Sequence, residues 1–147
     1  PYVTRAEPML VEAMLDAATQ LGVTVKAGLT VSAPGFYAPQ GRDTARIKPS
    51  IPELDKLFAE FDPRLEGQRI ENMEMEASLL IHLLGGLGYW AGAICPAIAN
   101  RRNDTIDVHY QDAVKNAVGV ALLALSELRR CYPQNIILSA DPAIQQN

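Results

Sequence analysis

The sequence predicts an α/β fold, in which helices cover a partly parallel sheet, and three features support this prediction. Segments 8–21 and 111–130 carry apolar residues at three- and four-residue spacing, which is typical of amphipathic helices. Segments 23–31 and 91–98 are β-branched or mostly apolar, as strands tend to be. The predicted order is helix, strand, helix, helix, strand, helix. Because only two or three strands are recognisable, the predicted sheet is incomplete.

The first elements are predicted to be a helix followed by a strand. The helix covers residues 8–21, and its apolar positions are Met9, Leu10, Ala13, Met14, Ala17 and Leu21. Gly22 follows at a position where helices commonly end on a left-handed residue. Segment 23–31 then alternates and is rich in valine and threonine, which predicts a strand.

A loop and a second helix are predicted next. Residues 32–42 include two prolines and two glycines, so this backbone is expected to turn rather than to be regular. We expect the helix to begin at Ser50, because Glu53 three residues later completes a capping box. Its predicted apolar face consists of Ile51, Leu54, Leu57, Phe58 and Phe61. Residues 70–75 fit neither a helix nor a strand clearly.

The later elements are predicted to be a buried helix, a central strand and a long helix. Residues 77–84 form the buried helix, and residues 91–98 form the strand, which is apolar on both faces. The long helix covers about residues 111–130. Its predicted inner side consists of Ala113, Val114, Ala117, Val118, Ala121, Leu122, Leu125 and Leu128.

Composition and charge argue against several classes of protein. A chain of 147 residues has the size of one domain, and 48% hydrophobic residues are sufficient for a core. The net charge is −4 and both signs are well mixed, so neither nucleic acid nor a membrane surface is expected as a partner. The apolar segment 79–99 contains Pro96 and the cluster Gly85, Gly86 and Gly88, which favours a buried position over a membrane span.

The cysteines and histidines give no indication of a metal site. Cys95 and Cys131 are too few for a disulfide framework or a zinc site, and they suit a reduced, cytoplasmic protein. His82 lies in an apolar helix and is interpreted as a core histidine, whereas His109 is expected at the exposed start of a helix. No glycine-rich phosphate motif follows a strand, so the sequence gives no support for a dinucleotide cofactor.

The loop at 32–42 is one of three places with polar residues that a core would not need. Phe36, Gln40 and Arg42 combine a ring, an amide and a guanidinium, which together can stack on a planar ligand and bond its edge. The alternative is an ordinary surface loop with a solvated arginine.

The other two places follow predicted elements further along the chain. Glu76 precedes a strongly apolar helix, where a carboxylate either binds sugar hydroxyls or simply interacts with the helix dipole. Asn100 and Arg101 follow the predicted central strand, and ligands of open α/β sheets bind beyond the carboxyl ends of strands. The alternative for this pair is a polar loop that leaves the sheet.

Together, these three places resemble the nucleoside phosphorylase family, and in particular its bacterial uridine phosphorylases. The run at 28–42, with Phe-Tyr, two residues, Gln, one residue and Arg, resembles the family's base-recognition segment. Residues 72–78 resemble its Glu-Met-Glu ribose motif, and residues 98–101 resemble the segment that closes the base pocket. The motifs occur in the family's order, and the resemblance covers roughly residues 5–130. It implies the C-terminal half of a nucleoside phosphorylase-like mixed sheet flanked by helices.

The resemblance implies roles for individual residues. Phe36 would stack on uracil, and Gln40 and Arg42 would bond its O2, N3 and O4 edge. Because that edge gains negative charge as the glycosidic bond breaks, a fixed cation there stabilises the transition state. Met75 would pack on the ribose, and Glu76 would bind its hydroxyls.

The third segment would complete the pocket and helps to choose between subfamilies. Ile98 and Ala99 would line the pocket, with Arg101 near the base. Purine-specific relatives tend to have an aspartate where this sequence has Asn100, so Asn100 together with Gln40 and Arg42 favours a pyrimidine. The implied reaction is phosphorolysis of uridine to uracil and ribose 1-phosphate. Inorganic phosphate is then a co-substrate, and no cofactor is expected.

The family's N-terminal half has no counterpart in the sequence. Family members have roughly 250 residues and bind phosphate through their N-terminal half and a neighbouring subunit. The sequence begins with Pro1, so we expect residues 1–130 to be the C-terminal portion of the domain and 131–147 to be a tail. Catalysis would then need the missing half, supplied by another chain, and the family commonly forms hexamers. The alternatives are a non-catalytic nucleoside-binding module and a related phosphorylase with another base preference.

Overall fold

The computed structural model describes residues 2–44, 46–49, 51–61, 68–100, 103 and 105–132. Helices and strands are mixed along the chain, which confirms the predicted α/β class. The elements are α1 (Pro8–Leu21), β1 (Leu29–Ser32), a short 3₁₀ helix (Ala38–Gln40), α2 (Leu54–Glu60), β2 (Ile70–Glu74), α3 (Ala77–Gly86), β3 (Ala99–Asn100), β4 (Thr105–Ile106) and α4 (Tyr110–Cys131). Ser50, Arg101 and the predicted tail from 133 onwards lie outside the described residues.

The core lies between α1 and α4, the two helices that the sequence predicts most closely. Ala17 and Ala18 of α1 are buried against Val120 and Ala124 of α4. Small side chains at these positions let the two helix backbones approach each other. Gly22 ends α1 in the left-handed conformation, at φ 65°, and its N–H reaches back to the last turn, as predicted.

The inner side of α4 is only partly as predicted. Leu128 is buried together with Val120 and Ala124, whereas Val118 and Leu122 are 52% and 64% exposed. The helix is apolar over two stripes, roughly a third of a turn apart, and α1 covers only one of them. The predicted inner side combines residues of both stripes and leaves out Val120 and Ala124, because periodicity alone does not show which stripe faces α1.

The sheet that positions the site has two parallel strands. β1 pairs with β2, with Thr30 opposite Asn72 and Ser32 opposite Glu74. The segment 70–75, which the sequence left ambiguous, therefore contains a strand. β1 is shorter than the predicted strand 23–31, since Val23 packs on the helical core before the strand begins.

The predicted central strand at 91–98 is wrong. This segment runs beside α1: the carbonyl of Ala91 accepts the N–H of Glu7 at 2.9 Å, and Gly92 lies against Leu10 and Met14. Ile94 packs on the core between α1 and α4. The apolar side chains are therefore covered by helices, and the segment has no strand ladder.

The start predicted for α2 is also wrong. The helix begins at Leu54, and Glu53 occupies the N-cap in a left-handed conformation without a side-chain capping bond. Pro52 gives the physical reason, because a proline disfavours the helical conformation for the residue before it, Ile51.

The predicted burial of α3 is wrong, although the helix itself is present. Ala77 is buried, but Leu79 is 64% exposed and Leu83 is 55% exposed. The helix is apolar nearly all round and contacts β1 on one side. His82 is likewise exposed, with its ring 5.1 Å from that of Tyr2, and is not a core histidine. In the described part of the chain, no helix is both long and apolar enough to cross a membrane.

Candidate functional site

The parallel pairing of β1 and β2 brings two of the three predicted places together. Ser32 and Glu74 are paired at the carboxyl ends of the two strands. The N–H of Ala33 extends the pairing by one residue, donating to the carbonyl of Glu74 at 2.9 Å. Loop 33–42 leaves β1 at this edge, and Met75 and Glu76 leave β2 beside it. This edge is where ligands bind in open α/β sheets.

Loop 33–42 presents an aromatic ring with a cation on its face. The guanidinium carbon of Arg42 lies 4.0 Å from the centroid of the Phe36 ring. The Phe36 side chain is 51% exposed, and Tyr37 packs edge-on against it with centroids 5.4 Å apart. Within the described residues, the Nε atom of Arg42 is buried without a hydrogen-bond partner. A buried unpaired donor is costly, and a ligand could supply an acceptor to this atom only if the guanidinium moved.

The loop is held in shape by its backbone. The N–H groups of Gln40 and Arg42 both donate to the carbonyl of Tyr37 at 3.0 Å. Gly41 lies between them with φ 73°, a conformation that favours glycine. A Cβ on Gly41 would lie 2.8 Å from the Cβ of Leu54, so the loop sits tightly on the start of α2. Gln40 is only 5% exposed, which places its side chain on the inner side of the loop.

A hydrogen-bonded cluster joins the strand ends to the start of α3. The hydroxyl of Ser32 donates to the carboxylate of Glu74 and accepts the N–H of Ser78 at 2.8 Å. The second carboxylate oxygen of Glu74 accepts the N–H groups of Glu76 at 2.6 Å and Ala77 at 2.5 Å. The first N–H groups of a helix have no partner inside the helix, and here side chains from β1 and β2 satisfy them.

This cluster sets the charge state of Glu74. Burial raises the pKa of the Glu74 carboxyl, but hydrogen bonds from Ser32 and from the backbone N–H groups of Ala77, Glu76 and Met75 outweigh burial. The pKa of Glu74 is therefore below its ordinary value, and the group is ionised at neutral pH.

Cys95 lies at the same edge of the sheet. Partial burial raises the pKa of the Cys95 thiol, a hydrogen bond with Asn72 lowers it, and the carboxylates of Glu74 and Glu76 raise it. The net direction is upward, so the thiol is protonated at neutral pH. Among the described residues, no group of three or more histidine, cysteine or acidic side chains could hold a metal ion.

The third predicted place lies at the start of the hairpin formed by β3 and β4. Ala99 pairs with Ile106, and the carbonyl of Ile98 accepts the N–H of Asp107 at 2.8 Å. The side chains of Ile98 and Ala99 are exposed. Because Arg101 lies outside the described residues, its predicted place near the base stays a prediction.

Sequence reasoning missed three polar residues at this edge. Ser32, Glu74 and Cys95 join the predicted Met75 and Glu76 there. The sequence does give a signal for Glu74, because it is the first carboxylate of the Glu-Met-Glu run. Ser32 and Cys95 gave none, because their place depends on which strands pair.

Comparisons with known proteins identify the family of the chain. A family model described as the phosphorylase superfamily matches residues 1–128. A uridine phosphorylase from Thermococcus kodakarensis is 35% identical over 104 residues, which are 68% of this chain and 34% of that enzyme. The chain thus matches about a third of the length of this relative. No solved structure matches the chain significantly.

Proposed function

Because the chain belongs to the phosphorylase superfamily, we propose that it recognises a pyrimidine nucleoside, uridine, for phosphorolysis to uracil and ribose 1-phosphate. One observation carries the proposal: the parallel pairing of β1 and β2 places loop 33–42 beside Met75 and Glu76. The loop offers groups for a planar base, and the second segment offers a thioether and a carboxylate for a sugar. The two segments leave paired strand ends, so the two sets could bind the base and the ribose of one nucleoside.

Loop 33–42 is the proposed base subsite. Phe36 stacks on uracil, while Arg42 and Gln40 bond the O2, N3 and O4 edge. The position of the Arg42 guanidinium on the Phe36 ring, which brings the cation to the proposed stacking surface, supports this role. As the glycosidic bond breaks, negative charge collects on the base, and Arg42 stabilises the departing anion more than it stabilises bound uridine.

Residues 75 and 76, together with the hairpin segment, form the proposed ribose subsite and its wall. Met75 packs on the sugar, and the Glu76 carboxylate accepts hydrogen bonds from its hydroxyls. Ile98 and Ala99 line the pocket, with Arg101 near the base. Phosphate attacks the anomeric carbon as the bond to uracil breaks, so the bonding electrons leave with the base.

The identity of three residues supports a pyrimidine rather than a purine. Gln40 and Arg42 match the edge of uracil, which offers two carbonyl oxygens and one N–H. Asn100 stands where purine-specific relatives tend to have an aspartate that protonates the ring. Uracil leaves as a stabilised anion and needs no such proton.

We propose that the phosphate subsite includes residues other than those of the base and ribose subsites. We propose a homo-oligomer in the cytoplasm, in which a neighbouring subunit or a chain carrying the N-terminal half contributes to phosphate binding. This part rests on the family resemblance alone.

Uracil release from uridine, followed by absorbance with and without phosphate, tests the proposal. With the chain that completes the phosphate subsite present, we expect phosphate-dependent release that falls about 100-fold in Arg42→Ala, as for loss of one group that stabilises a developing anion. Arg129→Ala, an exposed arginine in the last turn of α4, is the matched control and should leave the rate unchanged.

Calorimetric titration with uridine separates the alternatives. Binding without release supports the nucleoside-binding module that lacks a phosphate site. In that case Phe36→Leu should weaken binding by about tenfold, since base–aromatic stacking is worth about 1–3 kcal/mol per base. Neither release nor binding would show that the site does not serve uridine.

A further inference from the structure

We propose that Ser32, in the hydrogen-bonded cluster at the strand ends, is a positioning residue that fixes Glu76 relative to loop 33–42. This inference rests on the proposed function, because it concerns how the base and ribose subsites are held in a fixed relative position. Ser32 is the last residue of β1, and the loop that carries Phe36 and Arg42 begins with the next residue.

The hydroxyl of Ser32 is the link between the two subsites. It donates to the Glu74 carboxylate on β2 and accepts the N–H of Ser78 in the first turn of α3. Through these two bonds, the end of β1 is tied to both sides of the turn that contains Glu76. A shift of this turn away from the loop would break a hydrogen bond to a charged group.

The cluster also caps the start of α3 without the side chain of Glu76. Glu76 occupies the N-cap position of α3, yet its side chain makes no capping bond. The N–H groups of Glu76 and Ala77 are satisfied by Glu74, and that of Ser78 is satisfied by Ser32. The helix start is thus capped by other residues, which leaves the Glu76 carboxylate available to sugar hydroxyls.

Loss of the Ser32 hydroxyl should uncouple the subsites without destroying either one. In Ser32→Ala, Glu74 keeps its backbone donors and its carbonyl keeps the N–H of Ala33, but the start of α3 is no longer hydrogen-bonded to the end of β1. Uridine contacts both subsites, so its binding depends on their relative position. Uracil contacts only the loop, so its binding should not depend on Ser32.

Matched variants of the full chain test this inference by calorimetry with uridine and with uracil. We expect Ser32→Ala to weaken uridine binding about tenfold, the scale of one hydrogen bond to a charged group, with uracil binding unchanged. Thr30→Val is the control: Thr30 also bonds across the same strands, donating to Asn72 at 2.7 Å, but does not reach α3. It should leave both affinities unchanged, and Ser32→Thr should restore uridine binding.

A second measurement does not depend on any ligand. Hydrogen exchange of the backbone N–H groups of residues 76–78 should accelerate about tenfold in Ser32→Ala and stay unchanged in Thr30→Val. Equal weakening of uridine and uracil binding, or exchange at 76–78 that matches the unmodified chain, would overturn the positioning role. If the unmodified chain binds no uridine, the proposed function fails, while the exchange measurement still decides whether Ser32 fixes the turn.

Discussion

Substitution of Gly41 by alanine gives the sharpest test of how loop 33–42 is built. Alanine at φ 73° costs about 1–2 kcal/mol, because Cβ crowds the backbone in the left-handed conformation. The new Cβ would also lie 2.8 Å from the Cβ of Leu54, closer than carbon atoms approach without strain. Overpacking of this kind costs a further ~1–3 kcal/mol. We therefore expect Gly41→Ala to lower the free energy of unfolding by about 2–5 kcal/mol.

Gly22→Ala separates the two contributions. Gly22 has nearly the same backbone angle, φ 65°, but a Cβ there would meet nothing within 4 Å. Its substitution should therefore cost only the backbone part, about 1–2 kcal/mol. Urea unfolding followed by circular dichroism measures both variants, and their difference isolates the contact with Leu54.

Ligand binding provides the second readout for this pair. Gly41→Ala should also weaken uridine binding, since Gly41 precedes Arg42 directly, whereas Gly22→Ala should not. Equal stability of the two variants, together with unchanged uridine binding in Gly41→Ala, would refute the account of the loop.

Two further predictions concern ionisable groups at the same edge of the sheet. The pKa of Glu74 is lowered in the folded chain, so its stabilising contribution is present above the unfolded pKa and is lost as pH falls through the folded value. Glu74→Gln should flatten the loss of stability below about pH 4.3, measured by urea unfolding, and an unchanged pH profile would contradict this. The raised pKa of Cys95 leaves little thiolate, so iodoacetamide should alkylate Cys95 more slowly than Cys131, although both cysteines are exposed. Peptide mass spectrometry compares the two rates, and faster modification of Cys95 would refute the assignment.

The helices with a long apolar period or a clear end signal in the sequence were predictable. α1 has the predicted bounds, including its glycine end, and α4 extends the predicted helix by one residue at each end. In both cases the apolar period runs over three turns or more, which is long enough to exclude a strand. The capping box proposed from Ser50 and Glu53 was a weaker signal, because Pro52 between them acts against it.

Features that depend on distant contacts were not predictable in the same way. Residues 91–98 are apolar whether they pair with a strand or lie along α1, and the structure shows the second arrangement. The exposure of Leu79 and Leu83 on α3 has the same origin, because hydropathy does not say what covers a helix.

The family was predictable from the motifs of the candidate site, but the hydrogen bonds that hold the site together were not. The motifs around Phe36 and Glu76 indicated the family, and the family match confirms that resemblance. The register that places Ser32 opposite Glu74 is a property of two strands 42 residues apart, which no local pattern encodes.

The cation on the Phe36 ring has a consequence for any planar ligand that binds there. One face of the ring is already occupied by Arg42 in the unliganded chain. A ligand must either take the opposite face, making a three-layer stack, or displace the guanidinium and free it to turn toward the ligand's edge. Only in the second case can Arg42 bond the edge of the ligand, and stacking and edge recognition are then one event. The effects of replacing the ring and the cation should therefore be less than additive, because each residue loses its partner when the other is removed.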